Sequence, residues 1–188
     1  MAQLYRAHAN WIARGSLWAL VLGLAALAVL AVALSRSDWA TGRGRTPAQP
    51  VPFSHAHHVG GLGIDCRYCH RSVDTDAFAG LPSTETCMSC HAQLWTHAEI
   101  LAPVRHSFAT GEPLRWRRVH DLPDFAYFDH SAHQRAGVEC ATCHGEVARM
   151  ALTTQVAPLT MRWCVDCHAE LPERYGLPAR TSCSTCHR

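Results

Sequence analysis

Hydrophobic positions are spread very unevenly along this chain. From Gly15 to Ser35 the run GSLWALVLGLAALAVLAVALS has no charge and no polar side chain but serine, so it is apolar all round rather than amphipathic. Its length predicts one helix able to cross the roughly 30 Å hydrocarbon core of a bilayer. Trp11 and Trp18 near its start and Trp39 beyond its end suit interfacial belts. The competing reading is a cleaved signal peptide, with Arg6 and Arg14 as the basic region and Ala31-Val32-Ala33 as the cleavage site. The apolar run exceeds a usual signal core, which favours a retained anchor. Beyond it the pattern changes. No long strand alternation is evident, so short helices and loops with little or no sheet are expected. Residues 37–52, rich in Gly and Pro from Ala40 onward, read as an extended linker.

Two residue types dominate what remains. Ten cysteines and 14 histidines in 188 residues far exceed ordinary usage. Every cysteine falls in a C-x-x-C-H motif: Cys66/Cys69/His70, Cys87/Cys90/His91, Cys140/Cys143/His144, Cys164/Cys167/His168 and Cys183/Cys186/His187. Disulfides would account for cysteine density in a small secreted domain, but not for the histidine after each pair. Structural zinc would use the motifs in pairs and leave an odd fifth. C-x-x-C-H is the signature of covalent c-type haem attachment: two thiols add across the vinyl groups and the histidine faces the iron. The expectation is five covalently bound c-type haems with His70, His91, His144, His168 and His187 as proximal ligands. So much porphyrin leaves little protein for an apolar core, so the haems themselves should form it.

An F-x-H-x-x-H pair precedes two of the motifs. Phe53, His55 and His58 stand before Cys66, and Phe128, His130 and His133 before Cys140. This internal repeat divides the chain into a cytoplasmic N-terminus and anchor (1–36), the linker (37–52) and a pentahaem domain (53–188). The domain splits into a two-haem cluster (53–102), a connector (103–127) and a three-haem cluster (128–188). In the first cluster Ala92–Leu101 predicts a short helix closed by Pro103. Histidines three apart on a helical turn point to one side, so His55 with His58 and His130 with His133 can serve two haems packed together. His120 is the first choice for the fifth distal position. Met150 and Met161 compete, because thioether ligation raises haem potential, although a methionine beside apolar residues ordinarily fills gaps. His57, His97 and His106 are left as haem neighbours or surface residues, and His8 falls on the cytoplasmic side.

Charge alters the picture only slightly. All 17 basic residues are arginine, and the formal net charge is +2. Each haem adds two propionates, so the assembled molecule is acidic and no nucleic-acid partner is indicated. Arg115, Arg117 and Arg118 suit bidentate pairing with propionates, a solvated face being the plain alternative. Arginines flank both ends of the apolar run, which weakens the positive-inside signal. Haem attachment outside the cytoplasmic membrane orients the chain instead, with the amino terminus inside and the haems in the periplasm. No nucleophile–base set or phosphate loop is present. Substrate chemistry at iron in a pentahaem nitrite reductase typically uses C-x-x-C-K, and this chain has no lysine.

The F-x-H-x-x-H pairs resemble those of small multihaem cytochromes of the c3 and c7 type. That resemblance implies that His55 ligates the first haem and His58 a different one, with His130 and His133 alike. More specifically, Phe53-Ser-His55…His58-Val-Gly, Ile64-Asp-Cys66, Trp116-Arg-Arg-Val-His-Asp-Leu-Pro-Asp-Phe, Phe128-Asp-His-Ser-Ala-His133, Cys143-His-Gly and Pro158-Leu-Thr-Met161-Arg-Trp-Cys164 resemble the pentahaem cytochrome c subunit of alternative complex III. The resemblance covers about residues 50–188. It implies a membrane-anchored electron-transfer subunit with no catalytic site of its own, tied to the bilayer by one helix. Its implied partners are an iron–sulfur subunit, membrane-embedded subunits, and a monohaem cytochrome c or other periplasmic acceptor. Electrons would run from quinol oxidation to a periplasmic cytochrome c or terminal oxidase. A stand-alone membrane-anchored quinol dehydrogenase and a haem-based sensor or scaffold are the alternatives. The fifth motif and two F-x-H-x-x-H pairs argue against the first, and the lack of a signalling domain against the second.

Overall fold

The computed structural model describes Arg6 and residues 8–187. The rest of the expected cytoplasmic segment before His8 (residues 1–5 and Ala7) and Arg188 lie outside the described residues. The chain divides into two compact units, Met1–Thr41 and Gly42–Arg188.

In the first unit, helix α1 spans Ala9–Ser35 and a short turn, α2, covers Asp38–Thr41. At 1.5 Å per residue, α1 is about 40 Å long. An 18-residue window of it has a mean hydropathy of 2.7, none of its residues is buried, and among the described residues it alone is long and apolar enough to cross a membrane. Ser16 and Ser35 turn their hydroxyls back onto the helix carbonyls of Ala13 and Val32, so both hydroxyls are satisfied within the helix.

The second unit contains short helices and, among the described residues, no strand. Each C-x-x-C-H motif occupies a helical turn: α3 (Cys66–Cys69), α4 (Thr84–His91), α7 (Cys140–His144), α8 (Met161–Ala169) and α10 (Cys183–Cys186). Side-chain caps start two of these turns. Asp65 accepts from the Arg67 amide at 2.8 Å, and Thr160 accepts from the Trp163 amide at 3.3 Å.

The segment that the sequence reads as a linker is extended yet tied down over its second half. Gly44 N–H donates to the Gln155 carbonyl at 2.7 Å, and Gln155 N–H returns a bond to Arg45 at 3.1 Å. Gln49 exchanges two bonds of 2.9 Å with the Arg117 backbone. Val51 is buried with Leu101 and Val104, against which Cys87, Met88, Leu114 and Trp116 pack.

Pro103 does not close a helix. The residues after His91 form turns and a 3-10 turn (Glu99–Leu101), and Pro103 lies in the first turn of α5 (Ala102–Thr110). Proline lacks only an N–H that a first helical turn leaves unpaired, so it opens a helix as readily as it stops one. The 103–127 connector is therefore helical in its first third.

The apolar core is sparse. Among the described residues Val51, Leu101, Val104, Ala157 and Leu171 are the buried hydrophobic ones, and no large side chain is fully enclosed. Phe78, Trp95, Phe125 and Tyr127 are more than half exposed. Protein atoms alone do not make a core for this unit.

Candidate functional site

The first F-x-H-x-x-H segment folds as a π turn, Ala56–Gly61, entered through His55. The second is the helix α6, His130–Arg135, capped by Asp129. Despite that difference the two place their rings alike. Phe53 meets His55 edge-on with centroids 4.9 Å apart and stacks on His58 at 4.3 Å. Phe128 meets His130 edge-on at 4.8 Å and stacks on His133 at 4.3 Å. The sequence repeat is a structural repeat, with one phenylalanine wedging two imidazoles into fixed directions.

Those imidazoles face motif histidines. Ring centroids of His58 and His91 lie 6.2 Å apart, His130 and His144 6.3 Å, and His133 and His168 5.9 Å. Two imidazoles binding one metal from opposite sides, with metal–nitrogen bonds of about 2 Å, have ring centres about 6 Å apart. Three pairs have that separation. His55 corresponds to His130 in the repeat, and after burial the His70 ring has the largest electrostatic influence on it.

Second partners fix the rings. Nδ1–H of His58, His70, His91, His130, His133, His168 and His187 donates to the carbonyls of Ser54, Gly80, Leu94, Ala77, Asp129, Arg180 and Phe125, at 2.7–3.1 Å. His55 Nδ1 meets the Thr153 hydroxyl at 3.0 Å. A proton held on Nδ1 leaves the Nε2 lone pair for a metal, the usual arrangement of a ligating histidine. Burial first, and the His70 and His58 rings after it, lower the His55 pKa to about 4. Burial, with His120 the largest of the neighbouring charges, does the same for His144. Both rings are neutral at physiological pH, the form that ligates.

The thiols record how the motifs neighbour one another. All ten cysteines are free and at least partly exposed, and none is joined in a disulfide. Burial raises the pKa of Cys66, Cys87, Cys143 and Cys164, and adjacent thiols raise it further: Cys140 for Cys66, Cys69 for Cys87, Cys167 and Cys164 for Cys143, and Cys186 for Cys164. The motifs thus follow one another in the order second, first, third, fourth, fifth.

Cys87 and Cys90, both expected to attach the second haem, have unequal settings that their shared motif does not reveal. Cys87 packs on the Val51, Leu101 and Val104 cluster and its thiol points at the Ser83 carbonyl, 3.8 Å away. Cys90 is exposed instead, and its sulfur accepts only a long contact of 3.9 Å from the Ser89 hydroxyl. The cause is helical geometry: residues three apart on α4 point to neighbouring but not identical directions, and only the Cys87 side meets the apolar cluster. A 3.9 Å contact to sulfur is weak, so it does not hold Cys90 back from bonding to a vinyl group.

Among the described residues no three His, Cys, Asp or Glu side chains converge as a metal-ion cage. An open cleft of about 390 Å³ lies against Cys143, Gly145 and Trp163.

His120, expected as the fifth distal ligand, packs edge-on against His144, with centroids 4.3 Å apart. Met161 begins α8 and is 71% exposed, and Met150 lies beside Gly145. Of the arginine group, Arg118 pairs with Asp121 at 3.3 Å and lies over the Phe78 ring. His57 packs on His58 and Trp95, and exposed His106 lies 3.8 Å from Glu112. The oxygens that orient the rings, such as Ala77 for His130 and Phe125 for His187, are 53 and 62 residues away in sequence. No motif marks them.

Paired thiols on single helical turns, oriented imidazoles about 6 Å apart and a sparse protein core together fit covalent haem. They define a multihaem c-type cytochrome. A family model described as cytochrome c7 and related cytochrome c matches residues 126–188. The chain is also 30% identical over 161 residues to the multihaem cytochrome c subunit of menaquinone reductase from Nitratidesulfovibrio vulgaris, covering 74% of this chain and 77% of that protein. The chain belongs to this cytochrome c7-like multihaem family of electron-transport proteins.

Proposed function

We propose that this chain is the membrane-anchored pentahaem relay of a quinone-reactive complex, exchanging electrons between that complex and a periplasmic cytochrome c or terminal oxidase. Helix α1 crosses the membrane with its amino terminus in the cytoplasm. The ten cysteines attach five haems, whose iron supplies the one-electron chemistry. His70 with His55, His91 with His58, His144 with His130 and His168 with His133 hold four of the irons, and His187 holds the fifth. The observation that carries this reading is the ring pairing at 5.9–6.3 Å in three places, because imidazoles on both faces of an iron leave it no position for substrate chemistry. The backbone carbonyls on Nδ1 of His58, His70, His91, His130, His133, His168 and His187 fix those rings and raise their basicity. The thiol neighbours make the second and fifth motifs the two ends of the relay.

The complex proposed is of the alternative complex III type, with iron–sulfur and membrane-embedded subunits, and electrons leaving quinol. A second reading reverses the flow, and the name of the relative, a menaquinone reductase, favours it. Two assays separate these. The chain purified with its membrane partners is mixed either with quinol or with a reduced periplasmic cytochrome, and haem reduction is followed. Outward flow predicts rapid reduction by quinol only when the partners are present. Rapid quinol oxidation by the isolated chain would overturn the relay reading. Reduction of added quinone by the periplasmic cytochrome would establish inward flow.

A further inference from the structure

The nine imidazoles that our functional reading assigns to iron differ in one respect. Eight turn Nδ1 onto an oxygen, but His144 turns its Nδ1 to Nδ1 of His120, 3.3 Å away. A neutral imidazole bound through Nε2 carries its proton on Nδ1. Two such rings cannot meet Nδ1 to Nδ1, since each would offer a proton and neither a lone pair. One must accept, and the accepting ring keeps its proton on Nε2. His144 and His120 are therefore not both iron ligands as neutral imidazoles.

Two observations decide which ring accepts. His144 belongs to the Cys140/Cys143 motif, and its ring faces His130 at 6.3 Å and 13°, matching the other pairs in separation. His120 Nε2, by contrast, is buried among protein atoms with no hydrogen-bond partner. A metal would have to approach to about 2 Å a nitrogen that is closed off from solvent.

We propose that His120 is a positioning residue for the haem on His144. It accepts the His144 Nδ1–H with a bare ring nitrogen and braces that imidazole edge-on. The buried N–H left on its far side is a cost of the kind retained at a functional contact. A ring nitrogen is a stronger acceptor than the carbonyl and hydroxyl oxygens serving the other ligands. His144 is consequently the more basic ligand, which favours the ferric state and lowers the potential of that one centre.

The inference rests on His144 binding haem iron, and the test separates the two claims. In the full chain matured with its haems, His120→Phe keeps the packed ring edge but removes the acceptor, while His120→Asn supplies an acceptor oxygen. Haem content, spin state and a spectroscopic redox titration are compared with the unmutated protein, whose high-spin content sets the baseline. In His120→Phe we expect unchanged haem content and spin state, with one redox step moved to higher potential. In His120→Asn that step moves back toward its original position. A newly high-spin haem in His120→Phe would make His120 a distal ligand, and unmoved redox steps would make it packing alone. Either result overturns the proposal. If His120→Phe does not accumulate, His120→Ala is read the same way. Absence of haem from the unmutated protein would instead defeat the functional reading beneath it.

Discussion

Gly60 gives a sharp test of how the ligand-bearing segments are held. It lies in the π turn Ala56–Gly61, which packs against the 3-10 turn Val147–Arg149, and Ala56 N–H donates to the Met150 carbonyl at 2.9 Å. A Cβ on Gly60 would overlap the Ala148 carbonyl oxygen. Gly60 does not have a positive φ, so the constraint is space and not backbone conformation. The obstacle is a backbone atom, which cannot swing aside as a side chain can. Overpacking of this kind costs about 1–3 kcal/mol. At about 2–4 °C per kcal/mol for a folded unit of this size, Gly60→Ala should lower the melting temperature by about 2–12 °C. Gly61→Ala is the control, because its added Cβ would meet only ordinary contact, 3.7 Å from the Ala56 carbonyl oxygen. The assay is a thermal melt of the haem-loaded protein followed by Soret absorbance, with spin state recorded below the transition. His58 is two residues from Gly60, so the displaced turn should also weaken the low-spin signal before global melting. Identical melting of the two variants would refute the packing argument.

Three further outcomes follow from the same contacts. His58→Ala and His133→Ala should each convert one low-spin haem to high-spin, because the repeat gives these rings equivalent positions, and His106→Ala should change nothing; magnetic circular dichroism distinguishes them. Thr160→Ala removes the cap that accepts from Trp163 and should destabilise α8 by about 1 kcal/mol, read as faster amide exchange in Met161–Ala169. Apoprotein made without haem should lack native-like exchange protection throughout 42–187, since only five modest hydrophobic residues are buried among those described.

The sequence made the chemistry legible because it is written in local spacing. C-x-x-C puts two thiols on one helical turn, and the histidine pairs three apart point together, so both readings need no tertiary knowledge. Even there the detail differs: His58 sits on a widened π turn with Gly60-Gly61 that His55 leads into, where an ordinary helical turn is the simplest expectation. Likewise the motif treats Cys87 and Cys90 alike, while the packing of α4 shelters one and exposes the other. Pro103 was ambiguous for a physical reason, since the same missing N–H suits a helix start and a helix end. The anchoring of 44–51 depends on Gln155 and Arg117, more than 60 residues away, and Gly/Pro composition cannot register such partners. Counting histidines against irons is what points to His120 in the sequence. Its contact with His144 is a tertiary fact, and only the enclosure of Nε2 changes what the ring can do.

The most direct test of the account is the intact mass of the purified chain. All ten thiols are free and all five pairs are set on helical turns with a histidine behind them, so the mass should exceed that of the polypeptide by five haem additions. Fewer than five, or a stable colourless protein that still supports electron transfer with its membrane partners, would contradict it.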